Sequence, residues 1–281
     1  MIVVTGATGN IGRTLVPLLT EAGGDVVAVS RRPQLEDLPA GIRHARADVG
    51  NSASMRPVLD GADAFFLLLG GELNGHGEDP NDLIDTALNA GVKRIVLLSS
   101  QINATRPTAP SHTRLRAFEA AVRASGAEFT ILRPGAFASN AFAWAESVRT
   151  RRTVFAPFGD VALPVIDPAD IAAVAAAALL EEGHAGRAYE LTGPKTVSPR
   201  QQAAAISRAL GEDVALVELT REQARARMAH FMPEDVIEGT LDILGAPLPV
   251  EQTTSPDVES ILRRPARPFD EWVARNLQAF R

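Results

Sequence analysis

The chain has 281 residues, a formal charge of −6, 46% hydrophobic and 22% charged residues, and no cysteine. This is the size of one large domain, or one large and one small, with the composition of a folded globular protein. The missing cysteines exclude disulfide frameworks, thiol catalysis and zinc-cysteine sites and fit a reducing, cytoplasmic setting, while 28 basic residues scattered along a net-acidic chain leave no nucleic-acid footprint.

The apolar run Ile2–Thr5 opens the chain with no basic leader, so no export signal is expected. Strands are then predicted at Asp25–Ser30, Arg43–Asp48, Ala62–Leu69, Arg94–Ser99 and Glu128–Arg133. Helices are predicted between them at Ile11–Ala22, Ser54–Leu59, Pro80–Ala90 and Thr113–Ser125, the last two stopped by Gly91 and Gly126. Continuous apolar strands alternating with helices point to an α/β fold, a doubly wound parallel Rossmann sheet. Beyond Arg133 the Pro-rich stretch 157–168, the helix Pro168–Glu182 and the strand Ala188–Leu191 read as a return to the sheet. Helices at Pro199–Leu210, Arg221–His230 and Glu234–Leu244 then read as a smaller, mostly helical C-terminal substrate lobe. The expected division is 1–134 plus about 154–192 for the dinucleotide domain, and about 135–153 plus 193–281 for the lobe. The longest apolar run, Ile171–Leu180, falls well short of the roughly 20 residues that cross a bilayer.

The sharpest motif is Thr5-Gly6-Ala7-Thr8-Gly9-Asn10-Ile11-Gly12, directly after the first strand and opening the first helix. Gly6 allows the tight turn, Gly9 lets backbone approach a diphosphate, and Gly12 lets helix pack closely on strand, while helix-start N–H groups face the anion. Thr8, Asn10 and Ile11 belong to the same candidate cofactor contacts; a ligand-free glycine turn is the plainer reading. At the end of the second strand, where NAD-binding proteins carry an acid for the ribose 2'-hydroxyl, stand Arg31 and Arg32. Two guanidinium groups suit a 2'-phosphate, so NADP(H) is expected over NAD(H); a solvated surface pair is the competing reading. Asp48 and Val49 are candidates for the adenine edge, and Leu69 and Gly70, where the fourth strand ends, are counted with them. The loop Gly70–Pro80 reads as a flap or a long connection.

Several segments together resemble the NmrA-like group of atypical short-chain dehydrogenases. They are Thr5–Gly12, Leu97-Leu98-Ser99-Ser100, Ser125–Phe137 with Asn140, Val165–Ala172, Tyr189–Pro194 and Phe269–Val273, so the likeness spans essentially the whole chain. The resemblance implies a Rossmann domain carrying NADP(H) and a C-terminal lobe that together form a substrate cleft. It places Pro134, Gly135, Ala136 and Phe137 along the nicotinamide pocket. It also implies one of two activities, reduction of quinones and related carbonyl compounds or cofactor sensing with little turnover.

Most short-chain dehydrogenases use a Tyr-x-x-x-Lys pair. This chain has one tyrosine, Tyr189, with Gly193 four residues on, so the pair does not exist. At the expected place stand His112 and Arg116, four apart and so on one helical face, able to look toward the nicotinamide; a surface helix start is the alternative. Ser99 and Ser100 are candidate hydrogen-bond partners for a substrate carbonyl or the nicotinamide amide, and equally candidate turn-formers. Phe137, Phe142 and Trp144 read as an apolar wall or as core.

Hydride transfer to an ordinary ketone develops an alkoxide and demands a strong acid, whereas a quinone yields a delocalised, phenolate-like anion. The expected activity is therefore NADPH-dependent reduction of a quinone or polycyclic aromatic ketone. The alternative is an NADP(H) sensor that presents its lobe to a protein partner; a sugar-nucleotide epimerase ranks below both for want of the tyrosine. The partner expected is a small aromatic or quinone molecule, with no nucleic acid and no membrane; a homodimer stays open. His44, His76, His112, His184 and His230 are scattered, so no metal site is expected.

Overall fold

The computed structural model describes residues 1–31, 41–70, 77–230 and 232–281, of Asp235 the backbone alone. Met1–Pro134 and Pro168–Glu190 form one compact unit, and Gly135–Asp167 with Leu191–Arg281 a second. Among the described residues no helix is long and apolar enough to cross a membrane.

The first unit runs β1 (Ile2–Thr5), α1 (Gly12–Glu21), β2 (Val26–Ser30), β3 (Arg43–Arg46), α2 (Ser52–Leu59), β4 (Ala64–Leu68), α3 (Pro80–Asn89), β5 (Arg94–Leu98), α4 (Ile102–Thr105), α5 (Thr113–Ala124) and β6 (Glu128–Pro134). α6 (Ala145–Arg151) and β7 (Thr153–Pro157) intervene in the second unit. The chain returns as α7 (Pro168–Leu180) and β8 (Arg187–Leu191). The sheet order is β3-β2-β1-β4-β5-β6-β8, with β1 to β6 parallel. Its central strands are apolar on both faces because both are covered. Val3, Val27, Phe65, Leu67, Ile95 and Leu97 pack against Met55, Leu59, Leu83, Ile84 and Phe118 of α2, α3 and α5. The alanine-rich α7, nearly all buried, lies against α1 and β4 to β6 on the opposite face. Local signals fix the element ends: Asn51 and Asp79 cap α2 and α3 by accepting backbone N–H bonds, and Gly91 and Gly126 take positive φ just past α3 and α5.

In the second unit β7 pairs in parallel with β9 (Ala215–Leu219), Thr153 opposite Ala215 through Pro157 opposite Leu219. Its helices besides α6 are α8 (Pro199–Leu210), α9 (Arg221–Met228), α10 (Glu234–Gly245), α11 (Asp257–Leu262) and α12 (Phe269–Arg275). Residues 154–167, expected to rejoin the main sheet, belong instead to this unit. The reason is packing: Val154 and Ala156 bury their faces against Val148, Ala203, Ile206, Trp272 and Phe280. The lobe is thus helical around a two-stranded sheet.

Candidate functional site

The strand order reverses between β1 and β4, where a doubly wound sheet opens the crevice that takes its ligand. Thr5 closes the floor there: its hydroxyl donates to Phe66 O at 3.0 Å and accepts from Leu68 N at 2.8 Å, tying the two strands together. The turn above is built on glycine. Gly6 has φ +64, and a Cβ on Gly12 would stand 2.2 Å from Gly6 O and 2.5 Å from the Ala7 Cα. No residue but glycine fits that second position, so α1 starts hard against the turn. Ile11 caps α1 with no side-chain hydrogen bond, and its first turn holds no acid. Amides at the start of α1 and a cradle with no side chains fit a diphosphate. Thr8 and Asn10 lie on this turn, Thr8 O accepting from Arg13 at 3.3 Å.

Arg31 leaves the end of β2 and brings a guanidinium nitrogen to 3.8 Å from where a Cβ on Gly70 would be, so it stands beside the exit of β4 with Leu69 and Gly70. Arg32 lies outside the described residues, as do 71–76 of the loop read as a flap. Asp48 is committed locally: its carboxylate accepts from Gly50 N at 2.9 Å and its backbone is tied to Ser54, with Val49 half-buried beside it. Its carboxylate thus serves the turn before α2.

At the end of β5 the two serines separate. Ser99, 6% exposed, donates to Glu119 Oε1 at 2.5 Å and accepts from Asn103 Nδ2 at 2.9 Å. Its hydroxyl proton is spent inside the protein, which corrects the expectation that it serves substrate or nicotinamide. Among the described residues Ser100, half-buried, only accepts, from Ile102 N at 3.3 Å, and donates to none of them. Sequence reasoning missed the network beneath. Arg133 grips Glu119 at 2.6 and 3.1 Å, and Asn103 adds a bond at 3.1 Å. Burial pushes the Glu119 carboxyl up, but the bonds from Arg133, Ser99 and Asn103 outweigh it and hold it below the usual glutamate range. The signal was present: Glu119 falls on the stripe Leu115, Phe118 and Val122, where a lone charge demands a partner, and Arg133 lies next to the end of the neighbouring strand.

His112 and Arg116 do come together at the start of α5. His112 Nδ1 lies 2.9 Å from Ser111 Oγ, and burial, with the Arg116 charge beside it, pushes its pKa down, so the ring is neutral at pH 7. Arg116 anchors one nitrogen to Ala109 O at 2.8 Å and Thr113 Oγ1 at 3.0 Å, while its other terminal nitrogen is buried without an acceptor among the described residues.

Pro134 ends β6 and its carbonyl accepts from Gln101 N at 3.0 Å, fastening the exits of β5 and β6 to each other. Gly135, Ala136 and Phe137 open the second unit, held by Gly135 N to Leu191 O at 2.9 Å and Ile166 N to Ala136 O at 2.8 Å. Phe142 stands edge-on to Trp272 at 4.8 Å within that unit, and Trp144 packs against its core, so both serve the aromatic packing there.

Residues 6–182 match the family described as NAD(P)H-binding. Along its full length the chain is 37% identical to (4-alkanoyl-5-oxo-2,5-dihydrofuran-3-yl)methyl phosphate reductase of Streptomyces griseus and 33% identical to NAD(P)H azoreductase of Xenophilus azovorans, covering 99% of each. The structure of the NADPH-dependent quinone oxidoreductase of Escherichia coli, complexed with NADPH, superposes with a TM-score of 0.82 at 26% identity, over 98% of this chain and 99% of that one. A glycine cradle at the reversal of a parallel sheet and these likenesses agree: the chain belongs to the NAD(P)H-binding family and has the fold that its NmrA-like resemblance implied.

Proposed function

We propose that the protein is an NADPH-dependent reductase that delivers hydride to a conjugated acceptor, a quinone or polycyclic aromatic ketone, whose reduced anion is delocalised. The observation that carries this reading is the pair His112 and Arg116 at the start of α5, a neutral imidazole and a guanidinium with an uncommitted nitrogen, in a chain with one tyrosine placed elsewhere. Such a pair supplies a hydrogen bond and a fixed charge but no strong acid, which suffices only where the acceptor stabilises its own anion. The relatives are named for a dihydrofuranone, an azo group and a quinone, all conjugated acceptors.

The cofactor supplies the hydride; the residues of this chain hold and orient. Gly6, Gly9 and Gly12, with the amides of Thr8, Asn10 and Ile11, grip the diphosphate, and Arg31 recognises the 2'-phosphate. Asp48, Val49, Leu69 and Gly70 border the adenosine half. With the Ser111 hydroxyl donating to Nδ1 of His112, the ring proton sits on Nε2 and is available to the acceptor oxygen. Arg116 holds the nicotinamide ribose, Ser100 donates beside it, and Pro134, at the end of β6, lines the ring. Positioning of this kind supplies much of the rate.

Stopped-flow mixing of NADPH-loaded protein with a panel of quinones and aromatic ketones tests the reading. Loss of the 340 nm absorbance of NADPH with at least one quinone is expected. No oxidation across the panel contradicts it and favours an NADP(H) sensor, recognised by unequal affinities for the two redox forms and a partner whose binding depends on them.

A further inference from the structure

Glu119 follows His112 by seven residues and Arg116 by three, the spacing that puts all three on one face of α5. Its buried carboxylate joins α5 to β5, α4 and β6. Oε1 accepts from Ser99 Oγ at 2.5 Å, from Asn103 Nδ2 at 3.1 Å and from Arg133 Nε at 3.1 Å, and Oε2 accepts from Arg133 Nη2 at 2.6 Å. Arg123, one turn on, stands 3.7 Å from Oε2. Ser99 directly precedes Ser100, and Arg133 directly precedes Pro134.

We infer that Glu119 is a positioning residue for hydride transfer: acting through Ser99 and Arg133, it holds the Ser100 hydroxyl and Pro134 in fixed register with His112 and Arg116. The inference rests on the function proposed above. Stability alone does not account for the network. A buried ion pair adds little net stability over apolar side chains of the same volume, and this one carries a penalty of its own. Asn103, 6% exposed, gives Nδ2 to Ser99 Oγ at 2.9 Å as well as to Glu119, while its Oδ1 is buried with no donor among the described residues. What the carboxylate adds is direction. Hydrogen bonds of set length and angle converging on one group hold four elements in a single arrangement, which apolar packing would leave freer to shift.

An amide of the same shape cannot replace that carboxylate. If its oxygen faces Ser99, Asn103 and Nε of Arg133, its NH2 faces Nη2 of Arg133, donor against donor; turned over, the NH2 meets Asn103 and Nε instead. Glu119→Gln therefore loosens α5 from β6 without opening a cavity. Ser99→Ala frees the exit of β5 and leaves the pair of Glu119 with Arg133 in place.

The test takes the intact protein and both variants and measures, by calorimetry, the stoichiometry and affinity for NADPH. Stopped-flow then gives the rate of NADPH oxidation at saturating acceptor, using whichever of benzoquinone, naphthoquinone, phenanthrenequinone and fluorenone the wild type reduces fastest. Full NADPH stoichiometry and an affinity within about threefold of wild type are expected, with the rate per bound NADPH down about tenfold in Glu119→Gln and at least about threefold in Ser99→Ala. Rates per bound NADPH that stay at the wild-type level, or a total rate that falls only in proportion to the chains still able to bind NADPH, make Glu119 a structural residue alone and overturn the inference while the proposed function stands. If Glu119→Gln does not fold, Ser99→Ala decides alone, because it keeps the buried ion pair. A wild-type protein that binds NADPH and reduces none of the four acceptors defeats the proposed function, and the inference falls with it.

Discussion

Gly12→Ala probes the cradle most sharply. The added Cβ would stand 2.2 Å from Gly6 O and 2.5 Å from the Ala7 Cα, where ordinary contact begins at 3.4 Å. Both neighbours are backbone, so no side chain can swing aside and the turn must open by about an ångström, an overpacking that costs about 1–3 kcal/mol. The same opening moves the amides that meet the diphosphate, and a displacement of that size costs on the order of 100-fold where geometry is tight. Thermal melting should show a drop of several degrees, and calorimetry should show NADPH affinity down about 100-fold. Gly9→Ala is the matched control: its Cβ meets only Gly6 O at 3.2 Å, so melting should barely change while dinucleotide binding suffers from lost access. A Gly12→Ala protein that melts and binds like wild type refutes the reasoning.

Arg31→Ala removes a charge-assisted contact to the 2'-phosphate and should weaken NADPH about 10- to 100-fold, with NADH changed less than about threefold in the same titration. Glu119→Ala leaves Arg133 half-buried with its strongest partner gone and should cost about 3 kcal/mol in urea unfolding. Because the Glu119 carboxyl titrates below its ordinary 4.5 in the folded state, its stabilisation is complete above that pH and is lost as pH falls through the lowered value; Glu119→Gln should flatten that acid limb. His112 has its pKa pushed down, so its neutral form dominates at pH 7; the imidazolium formed in acid keeps the Nε2 proton and donates it more strongly, so turnover should rise as acid protonates the ring. His112→Gln should erase this limb from the pH profile of kcat and lower kcat itself about tenfold or more.

Much of the first unit was legible because its determinants are local. The apolar runs of β1, β2, β4, β5 and β6, the caps Asn51 and Asp79, and Gly91 and Gly126 each act within a few residues. The glycine loop was legible for the same reason, since its spacing encodes the turn. The second sheet was not: β7 pairs with β9 across some sixty residues, and neither short strand carries a turn signal that announces a parallel partner. The misreading of Ser99 has a similar cause. From sequence a strand-end serine faces a ligand or the core equally well, and only the arrival of Glu119 from α5 and Asn103 from α4 settles that its proton points inward. His44 was discounted as one of five scattered histidines; its contact with Ser30 depends on strand register, which composition does not carry.

Titration calorimetry of the intact chain with NADPH and with NADH measures the central claim directly, that backbone amides at the start of α1 grip a diphosphate and Arg31 reads the phosphate on the adenosine ribose. The account requires one-to-one binding of NADPH with a rise in melting temperature and an affinity for NADH at least about ten times weaker. Absence of heat and of any thermal shift with NADPH, or equal affinity for the two, contradicts it.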